Sequence, residues 1–449
     1  MKEWIERSFP KIREELFAFY RFKTISADPS MRPELDRCAE WLRKKFESLG
    51  CSAELISTSG PPLVYAEDLS AGPNAPTLLI YGHYDVQPVD PIELWNSDPF
   101  EPVEKDGIVT VRGAQDDKGQ IFYAITALAA LRASGSLKVN LKYCIEGEEE
   151  FGSGAFSKAL PSLKKKLRAD YLLVVDFGIP NAHTGSINLG ARGISTLEII
   201  LRGSKGDLHS GTFGGIAYNP NRALAELIAK CWDETGRIRI PGFYDGVTSV
   251  SPKEEKLFSD EFEGASYRDE GIEALASEKG YTLLQSNWFR PTLEINGMAG
   301  GYAGPGFKTV IPAEARAKIS ARLVPNQDPE KIAHLIGDFF RKNAPKGMQV
   351  RMEFHHGGKP YRASADSKLA VAVSKAYEEL FQKPCLKTLS GASIPIISDL
   401  MHTCGASVVG MGFGLASDGI HAPNEHFGLD RFKKGIWTVA RSIELLGSI

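Results

Sequence analysis

The stretch PTLLIYGHYD (76–85) determines how the chain is expected to fold. Its apolar run, residues 77–81, is too short for a helix and lies between Pro76 and Gly82, which predicts a buried strand. Similar runs cover residues 139–145, 171–175 and 407–411, and helical patterns cover residues 33–50, 119–132, 367–381 and 430–446. Strands that alternate with helices indicate an α/β fold built on parallel strands.

A different pattern occupies the middle of the chain. From about residue 193, shorter strand and helix patterns follow one another at residues 193–201, 221–232, 309–323, 329–342 and 349–354. They favour a compact α+β unit, and the first pattern resumes after Gly357. The chain has 449 residues, which exceeds the usual size of a single hydrophobic core. We therefore predict a discontinuous α/β domain (1–190 and 357–449) with an inserted domain (191–356), in which residues 235–304 show no clear pattern.

Composition and charge exclude several classes of protein. Hydrophobic residues make up 43% of the chain and charged residues 24%, which is typical of a globular protein and not of a disordered one. The net charge of −3 provides no basic field for nucleic acid. No apolar run approaches the roughly 18 residues of a membrane span, and the N-terminus lacks the apolar core of a secretory signal. The cysteines are scattered without paired spacing, which favours reduced thiols. We expect a cytoplasmic protein with no nucleic acid or membrane partner.

Acidic and histidine side chains follow the predicted strands at their carboxyl ends. The carboxyl ends of parallel strands meet at one edge of the sheet, where open α/β sheets bind ligands. Carboxylates crowded at such an edge repel one another unless a cation binds them. Two imidazoles together with several carboxylates suit zinc, manganese or cobalt. The residues concerned are His83, Asp85, Glu148, Glu149, Glu150, Asp176 and His421, with Asp116 and Asp117 directly before a helix.

Each of these features alone has a simpler explanation. His83 with Asp85 is typical of a surface or capping pair, and Asp116 with Asp117 is typical of a helix N-cap. Residues 148–150 are typical of a solvated acidic loop. Their joint occurrence at strand ends favours the metal site.

Seven motifs together resemble the co-catalytic zinc metallopeptidases, the family that includes carnosine dipeptidases, glutamate carboxypeptidases and succinyl-diaminopimelate desuccinylases. The resemblance runs from about Trp4 to the C-terminus. It implies an α/β, zinc-peptidase-like catalytic domain with a central mixed, mostly parallel sheet, and it implies that the inserted α+β domain is a lid and dimerisation domain. The motifs are GHYDVQP (82–88), RGAQDDKG (112–119), EGEEEFGS (146–153), GDLHSGTFGG (206–215), KTVIP (308–312), ARLVPNQ (321–327) and DGIHAPNE (418–425).

The resemblance also implies a role for each acidic and histidine residue. Asp116 would bridge two divalent ions and be joined to Asp117 by a cis peptide bond, and Asp85 would orient His83. Two ions would lower the pKa of a bridging water towards ~7, and Glu149 would act as the general base. Zinc is the first expectation for the metal, with manganese and cobalt as alternatives. The implied metal ligands are His83, Asp116, Glu150, Asp176 and His421.

Four further residues are implied to contact substrate, three of them in the inserted domain. His209 would reach the active site of a partner subunit and stabilise the oxyanion, which makes a homodimer the expected active unit. Arg322 would bind the terminal carboxylate of the substrate. Thr309 and Ser393 lie in motifs that line the substrate pocket of the resembling enzymes.

Several features favour the dipeptidase branch of this family. Position 176 is Asp where carboxypeptidases and desuccinylases tend to carry Glu, and WFRPTLEINGM (288–298) is similar to the dipeptidases. Ala392 in SGASIP (390–395) departs from the GGSIP of dipeptidases and puts the pocket shape in doubt, as does Phe151. Three functions stay open: hydrolysis of small dipeptides, an amidase, deacylase or carboxypeptidase activity by the same chemistry, and a catalytically silent binding protein.

Overall fold

The structure is a computed structural model that describes residues 1–258, 268, 271–276 and 278–449. The predicted irregular region 235–304 lies partly outside the described residues. In the described part of the chain, no helix is long and apolar enough to cross a membrane.

Strands are numbered here in chain order. They are β1 (Ser52–Ile56), β2 (Leu63–Asp68), β3 (Thr77–His83), β4 (Val103–Lys105), β5 (Ile108–Thr110), β6 (Asn140–Glu146), β7 (Tyr171–Gly178), β8 (Ser186–Ala191), β9 (Gly193–Arg202), β10 (Leu208–His209), β11 (Thr292–Gly300), β12 (Val310–Ile311), β13 (Glu314–Leu323), β14 (Gln349–Gly358), β15 (Tyr361–Arg362), β16 (Leu386–Ser390), β17 (Ser407–Gly414) and β18 (His426–Gly428).

The α-helices are numbered in the same way. They are α1 (Lys2–Tyr20), α2 (Arg32–Ser48), α3 (Lys118–Ser134), α4 (Gly154–Leu167), α5 (Ser210–Phe213), α6 (Pro220–Ala229), α7 (Pro252–Leu257), α8 (Pro329–Asn343), α9 (Lys368–Phe381), α10 (Pro395–Cys404) and α11 (Leu429–Leu446).

The chain forms two compact units, each with its own sheet. The first contains Met1–Leu189, Ala363–Thr388 and Asp399–Ile449, and the second contains Gly190–Arg362 and Leu389–Ser398. The limits predicted from the sequence, 1–190 with 357–449 and 191–356, stay a prediction of domain boundaries.

The main sheet of the first unit is mixed, with a parallel centre. Its strands follow the order β1-β2-β6-β3-β7-β17-β8. Strand β3 pairs in parallel with β6 and β7, and β17 pairs in parallel with β7. The outer pairs β1/β2, β2/β6 and β17/β8 are antiparallel. The predicted α/β fold with a mixed, mostly parallel central sheet is confirmed, because four adjacent strands run the same way.

Helix α3 is the centre of the packing in this unit. It is apolar on nearly all sides, and every residue from Lys118 to Leu131 except Ala129 is buried. The helix ends before Gly135, which has a φ of 66°. It contacts β3 and β7 of the sheet and the helices α1 and α11. A helix fixed on every side gives the residues before its first turn a defined position.

The second unit is a four-stranded antiparallel sheet with two helices on one face. The strand order is β11-β13-β9-β14. Alternate residues of β9 and β13, such as Leu197, Ile199 and Ala317, pack under α6 and α8 in one apolar core. Polar residues that are exposed or half-buried occupy the other positions of β13, as the alternating sequence pattern indicates.

Candidate metal centre

The parallel strands of the first unit bring acidic and histidine side chains to one edge of the sheet. His83 is the last residue of β3, and Asp176 lies near the end of β7. Glu149 and Glu150 form a short helical turn after β6, and His421 lies in the loop after β17. Because β6, β3, β7 and β17 are neighbours, their carboxyl ends place these residues side by side.

The pair Asp116 and Asp117 enters the site from the start of α3. A cis peptide bond joins them. Asp117 occupies the N-cap position of α3, but its Oδ2 accepts the backbone N–H of His83 at 3.0 Å and makes no capping hydrogen bond to the first turn of the helix. Asp117 therefore ties the start of α3 to the end of β3.

Two groups of side chains have the geometry of metal ligands. In each group the candidate ligand atoms lie within 4.8 Å of one another. Asp116 lies between the groups: its Oδ1 is 3.1 Å from His83 Nε2, and its Oδ2 is 3.0 Å from His421 Nε2. Asp116 thus presents one oxygen to each histidine, as a bridging carboxylate does. The groups are His83, Asp117 and Asp176, and Asp116, Glu150 and His421.

Asp85 orients both a histidine and the acidic turn. The Nδ1 of His83 lies 3.1 Å from the backbone carbonyl of Asp85 and 3.3 Å from its carboxylate, which favours a proton on Nδ1 and leaves Nε2 as the electron-pair donor. The Nε2 atom lies 3.7 Å from Asp176. The Asp85 carboxylate also accepts the backbone N–H groups of Glu149 and Glu150 at 3.2 and 3.1 Å. This second contact was not predicted from the sequence.

The crowding of carboxylates changes the pKa values of both histidines. Burial alone would lower the pKa of His83, but Asp116, Asp176 and Asp85 outweigh burial and raise it well above the usual value. Hydrogen bonds with Asp116 and Glu150 raise the pKa of His421 to about 10. The surrounding carboxylates thus favour a positive charge at both imidazoles.

Burial has the opposite effect on carboxylates, because it raises their pKa values. Burial raises the pKa of Glu149 well above its usual value. Burial and the neighbouring Asp116 raise the pKa of Asp176 to about 6. The Oδ1 atom of Asp117 is buried and has no hydrogen-bond partner among the described residues. An unpartnered buried carboxylate oxygen grouped with the His83 imidazole and the Asp176 carboxylate fits a divalent cation.

Two residues of the site were not predicted as contributors. Gln87 donates a hydrogen bond from Nε2 to Glu150 at 2.7 Å. Glu425 accepts backbone N–H groups of the loop that leads to Asp116. Both lie inside the motifs 82–88 and 418–425, but a motif alone does not distinguish a metal ligand from the residues that hold it.

The four predicted substrate contacts lie in the second unit and form two pairs. Strand β10 with the exposed His209 pairs with β12, and the backbone N–H of Ser210 donates to the carbonyl of Thr309 at 3.1 Å. The Nη1 of Arg322 donates to Ser393 Oγ at 2.8 Å. Burial lowers the pKa of Arg322.

Comparison with known proteins finds one family and relatives that align with most of the chain. The sequence model of peptidase family M20/M25/M40 matches residues 79–445. A Cys-Gly metallodipeptidase of Schizosaccharomyces pombe is 30% identical over 95% of this chain and 93% of its own. The Beta-Ala-His dipeptidase of Homo sapiens is 31% identical over 95% of this chain and 85% of its own.

Solved structures extend these similarities to the fold. An M20 family metallo-carboxypeptidase from Sulfolobus solfataricus superposes with a TM-score of 0.83 at 31% identity, over 98% of this chain and 99% of that chain. A di-peptidase from Saccharomyces cerevisiae has a TM-score of 0.76 at 28% identity, over 100% of this chain and 98% of that chain.

Proposed function

Because the chain belongs to peptidase family M20/M25/M40 and is a metallopeptidase, we propose that it hydrolyses the peptide bond of small, unblocked dipeptides with the help of two divalent ions. The placement of Asp116 between two histidines, one oxygen facing each, carries this proposal. The dipeptidases of Schizosaccharomyces pombe and Homo sapiens that align with 95% of the chain support the substrate class.

The metal would be held by five side chains. His83 and Asp176 would bind one ion, Glu150 and His421 the other, and Asp116 both. When bound, the ions supply an activated water and polarise the scissile carbonyl. Imidazole and carboxylate donors suit zinc, with manganese or cobalt as alternatives.

Glu149 is proposed as the general base. Among the described residues it belongs to neither ligand group, yet its backbone N–H is fixed by Asp85 at 3.2 Å next to the ligand Glu150. Its carboxylate would take a proton from the attacking water and give it to the departing amine. Burial raises the pKa of Glu149, which would help it to hold that proton between the two steps.

The second unit would complete substrate recognition. We propose that Arg322, with Ser393 as its hydrogen-bond partner, binds the terminal carboxylate of the substrate, and that Thr309 lines the pocket nearby. His209 would stabilise the oxyanion in the site of a partner subunit. The proposed active unit is therefore a homodimer in which this unit acts as lid and dimerisation domain. We also propose a cytoplasmic location.

A second candidate function is a carboxypeptidase acting on longer peptides. The observation behind it is the similarity to the metallo-carboxypeptidase from Sulfolobus solfataricus, whereas the dipeptidase relatives support the first candidate. Substrate length distinguishes it from a dipeptidase, because the chemistry of the metal site is the same in both.

The test is the release of amino acids from a panel of free dipeptides, their N-acylated forms and the corresponding tripeptides. We expect cleavage of free dipeptides, little cleavage of the other two sets and full loss with a chelator. Preferred cleavage of longer peptides from the C-terminus would assign a carboxypeptidase. Release from N-acylated substrates alone would contradict both candidates.

A further inference from the structure

A buried ion pair lies beneath the loop that carries Asp116. Glu425 and Arg112 are each 1% exposed, and Arg112 Nη1 donates to Glu425 Oε2 at 3.0 Å. Buried charges require full hydrogen bonding to offset their loss of water. The other hydrogen-bond partners of Glu425 and Arg112 show which loops this pair holds in place.

Both oxygens of Glu425 are used by N–H donors of one loop. Oε1 accepts the backbone N–H groups of Gln115 at 2.9 Å and of Asp116 at 3.1 Å. Oε2 accepts the backbone N–H of Gly113 at 2.8 Å in addition to Arg112. Four N–H donors therefore converge on one carboxylate, which fixes the backbone of residues 112–116.

The same carboxylate belongs to the loop that carries His421. Only three residues separate His421 from Glu425, and the turn between them is tight: His421 and Asn424 have φ values of 60° and 64°. Asn424 is itself anchored, since its Nδ2 donates to the carbonyl of Leu94 at 2.8 Å. Glu425 therefore joins the Asp116 loop to the His421 loop.

Arg112 extends this connection to a third loop. Its Nη2 donates to the carbonyl of Pro88 at 2.9 Å, and its guanidinium lies 5.2 Å from the centre of the Trp95 ring. Pro88 ends the motif 82–88, which carries His83 and Gln87. The three loops that supply candidate ligands are thus connected through one buried pair.

We propose that Glu425 is a positioning residue for the metal group formed by Asp116, Glu150 and His421, an inference that rests on the proposed dinuclear site. By holding the Asp116 and His421 loops together, it sets the 3.0 Å approach of Asp116 Oδ2 to His421 Nε2. Residues that hold metal ligands in place affect metal affinity without touching the ion.

The test is zinc titration of the metal-stripped, full-length Glu425→Gln protein. An amide of the same size must turn an NH₂ group towards one pair of N–H donors, so the loop has to shift. We expect the zinc at the group that contains His421 to bind about 10- to 100-fold more weakly. The other zinc, which shares only Asp116 with that group, should lose less. A parallel titration of His421→Ala, which removes a ligand of that group, shows which of the two zinc affinities belongs to it.

A matched control is Asp68→Asn, which alters another buried carboxylate of the first unit. Asp68 accepts the backbone N–H of Ser70 and pairs with Arg132, away from the ligand groups. We expect this variant to lower stability and leave both zinc affinities unchanged. If Glu425→Gln does not fold, Arg112→Lys replaces it in the titration. This variant loses the bond to Pro88 or to Glu425, so we expect it also to lower the affinity for zinc at the group that contains His421.

Equal weakening of both ions, unchanged affinities in folded Glu425→Gln, or the same loss in Asp68→Asn would overturn the proposal. A wild-type protein that binds fewer than two ions would instead refute the proposed function. The two failures are therefore distinguishable without any measurement of activity.

Discussion

At the scale of single residues, Glu149 and Glu150 are neighbours with different expected roles. Both backbone N–H groups are held by Asp85, but only Glu150 contacts His421, at 3.3 Å. We expect Glu149→Gln to keep both metal ions and lose about 10²- to 10⁴-fold in kcat, as removal of a general base does. Glu150→Gln should lose the second ion.

Metal content and steady-state kinetics of the two variants check this assignment. The reverse pattern, with metal lost from Glu149→Gln and retained in Glu150→Gln, would show that the two roles are exchanged. Unchanged turnover in both variants would contradict the assignment of a base to this turn.

The raised pKa of His421 makes the stability of the metal-free protein depend on pH. A histidine whose pKa rises from 6.5 unfolded to about 10 folded stabilises the protein fully below pH ~6.5, and this stabilisation is lost as the pH rises towards 10. Chelated wild-type protein should therefore lose stability over this range, whereas His421→Gln should lose less. Urea unfolding at a series of pH values measures both slopes, and identical slopes would contradict the predicted effect.

Residue types and spacing could predict which side chains come together, but not how each is used. His83, Glu150 and His421 follow strands and lie at one sheet edge, and Asp116 reaches them from the start of α3. The contact of Asp117 with the backbone of His83 could not be predicted, because it depends on the angle at which α3 meets β3. The same is true of the four N–H donors around Glu425.

At the scale of elements, apolar strands of the sheet centre were predictable because they are buried on both faces. The patterns at 77–81, 139–145, 171–175 and 407–411 correspond to β3, β6, β7 and β17. Strand β1 was not predicted, since it is partly exposed and lacks an apolar run. Helix α1 was not predicted either, and it contains Pro10.

One predicted helix was too long. The pattern 221–232 predicted a helix as far as Trp232, but α6 ends at Ala229. The backbone carbonyl of Cys231 instead accepts the N–H of Arg239 at 2.7 Å, and Trp232 bridges to Ile238. Cys231 and Trp232 thus pair with a later segment of the chain, which a local pattern does not reveal.

The start of α3 offers a test at this scale. Alanine normally stabilises a helix relative to glycine, but a Cβ at Gly119 would contact the backbone carbonyl of Ala114 and the hydroxyl of Tyr20. We expect Gly119→Ala to lower the free energy of unfolding by about 1–3 kcal/mol and to weaken metal binding, because residues 112–117 must move.

Ser134→Ala, at the exposed end of the same helix, is the control and should change stability by less than about 0.5 kcal/mol. Denaturant unfolding of the metal-free proteins gives both values. A Gly119→Ala protein as stable as the wild type would show that the close packing of α3 against the Asp116 loop is not required.

At the scale of the whole molecule, the family and the fold class inferred from motifs are confirmed by the match to residues 79–445 and by the parallel centre of the sheet. The roles of His209 and Arg322 stay predictions. They depend on how a second unit and a second subunit meet the metal site, and local sequence patterns carry no direct information about such contacts.

Mixed dimers test the proposed role of His209. His209→Ala and Glu149→Gln should each be nearly inactive alone. If His209 serves the partner's site, a dimer with one chain of each kind contains one intact site, so random mixing should restore roughly a quarter of wild-type activity. No recovery in dimers that have demonstrably exchanged chains would show that His209 does not act across subunits.

The central claim is that two metal ions at the sheet edge drive dipeptide hydrolysis. The most direct measurement is zinc titration of the metal-stripped protein while amino-acid release from a free dipeptide is followed. We expect both ligand groups to fill, with activity reaching its maximum only at two ions per chain and disappearing on chelation. Hydrolysis by the metal-free protein, or two bound ions without hydrolysis of any free dipeptide, would contradict the claim.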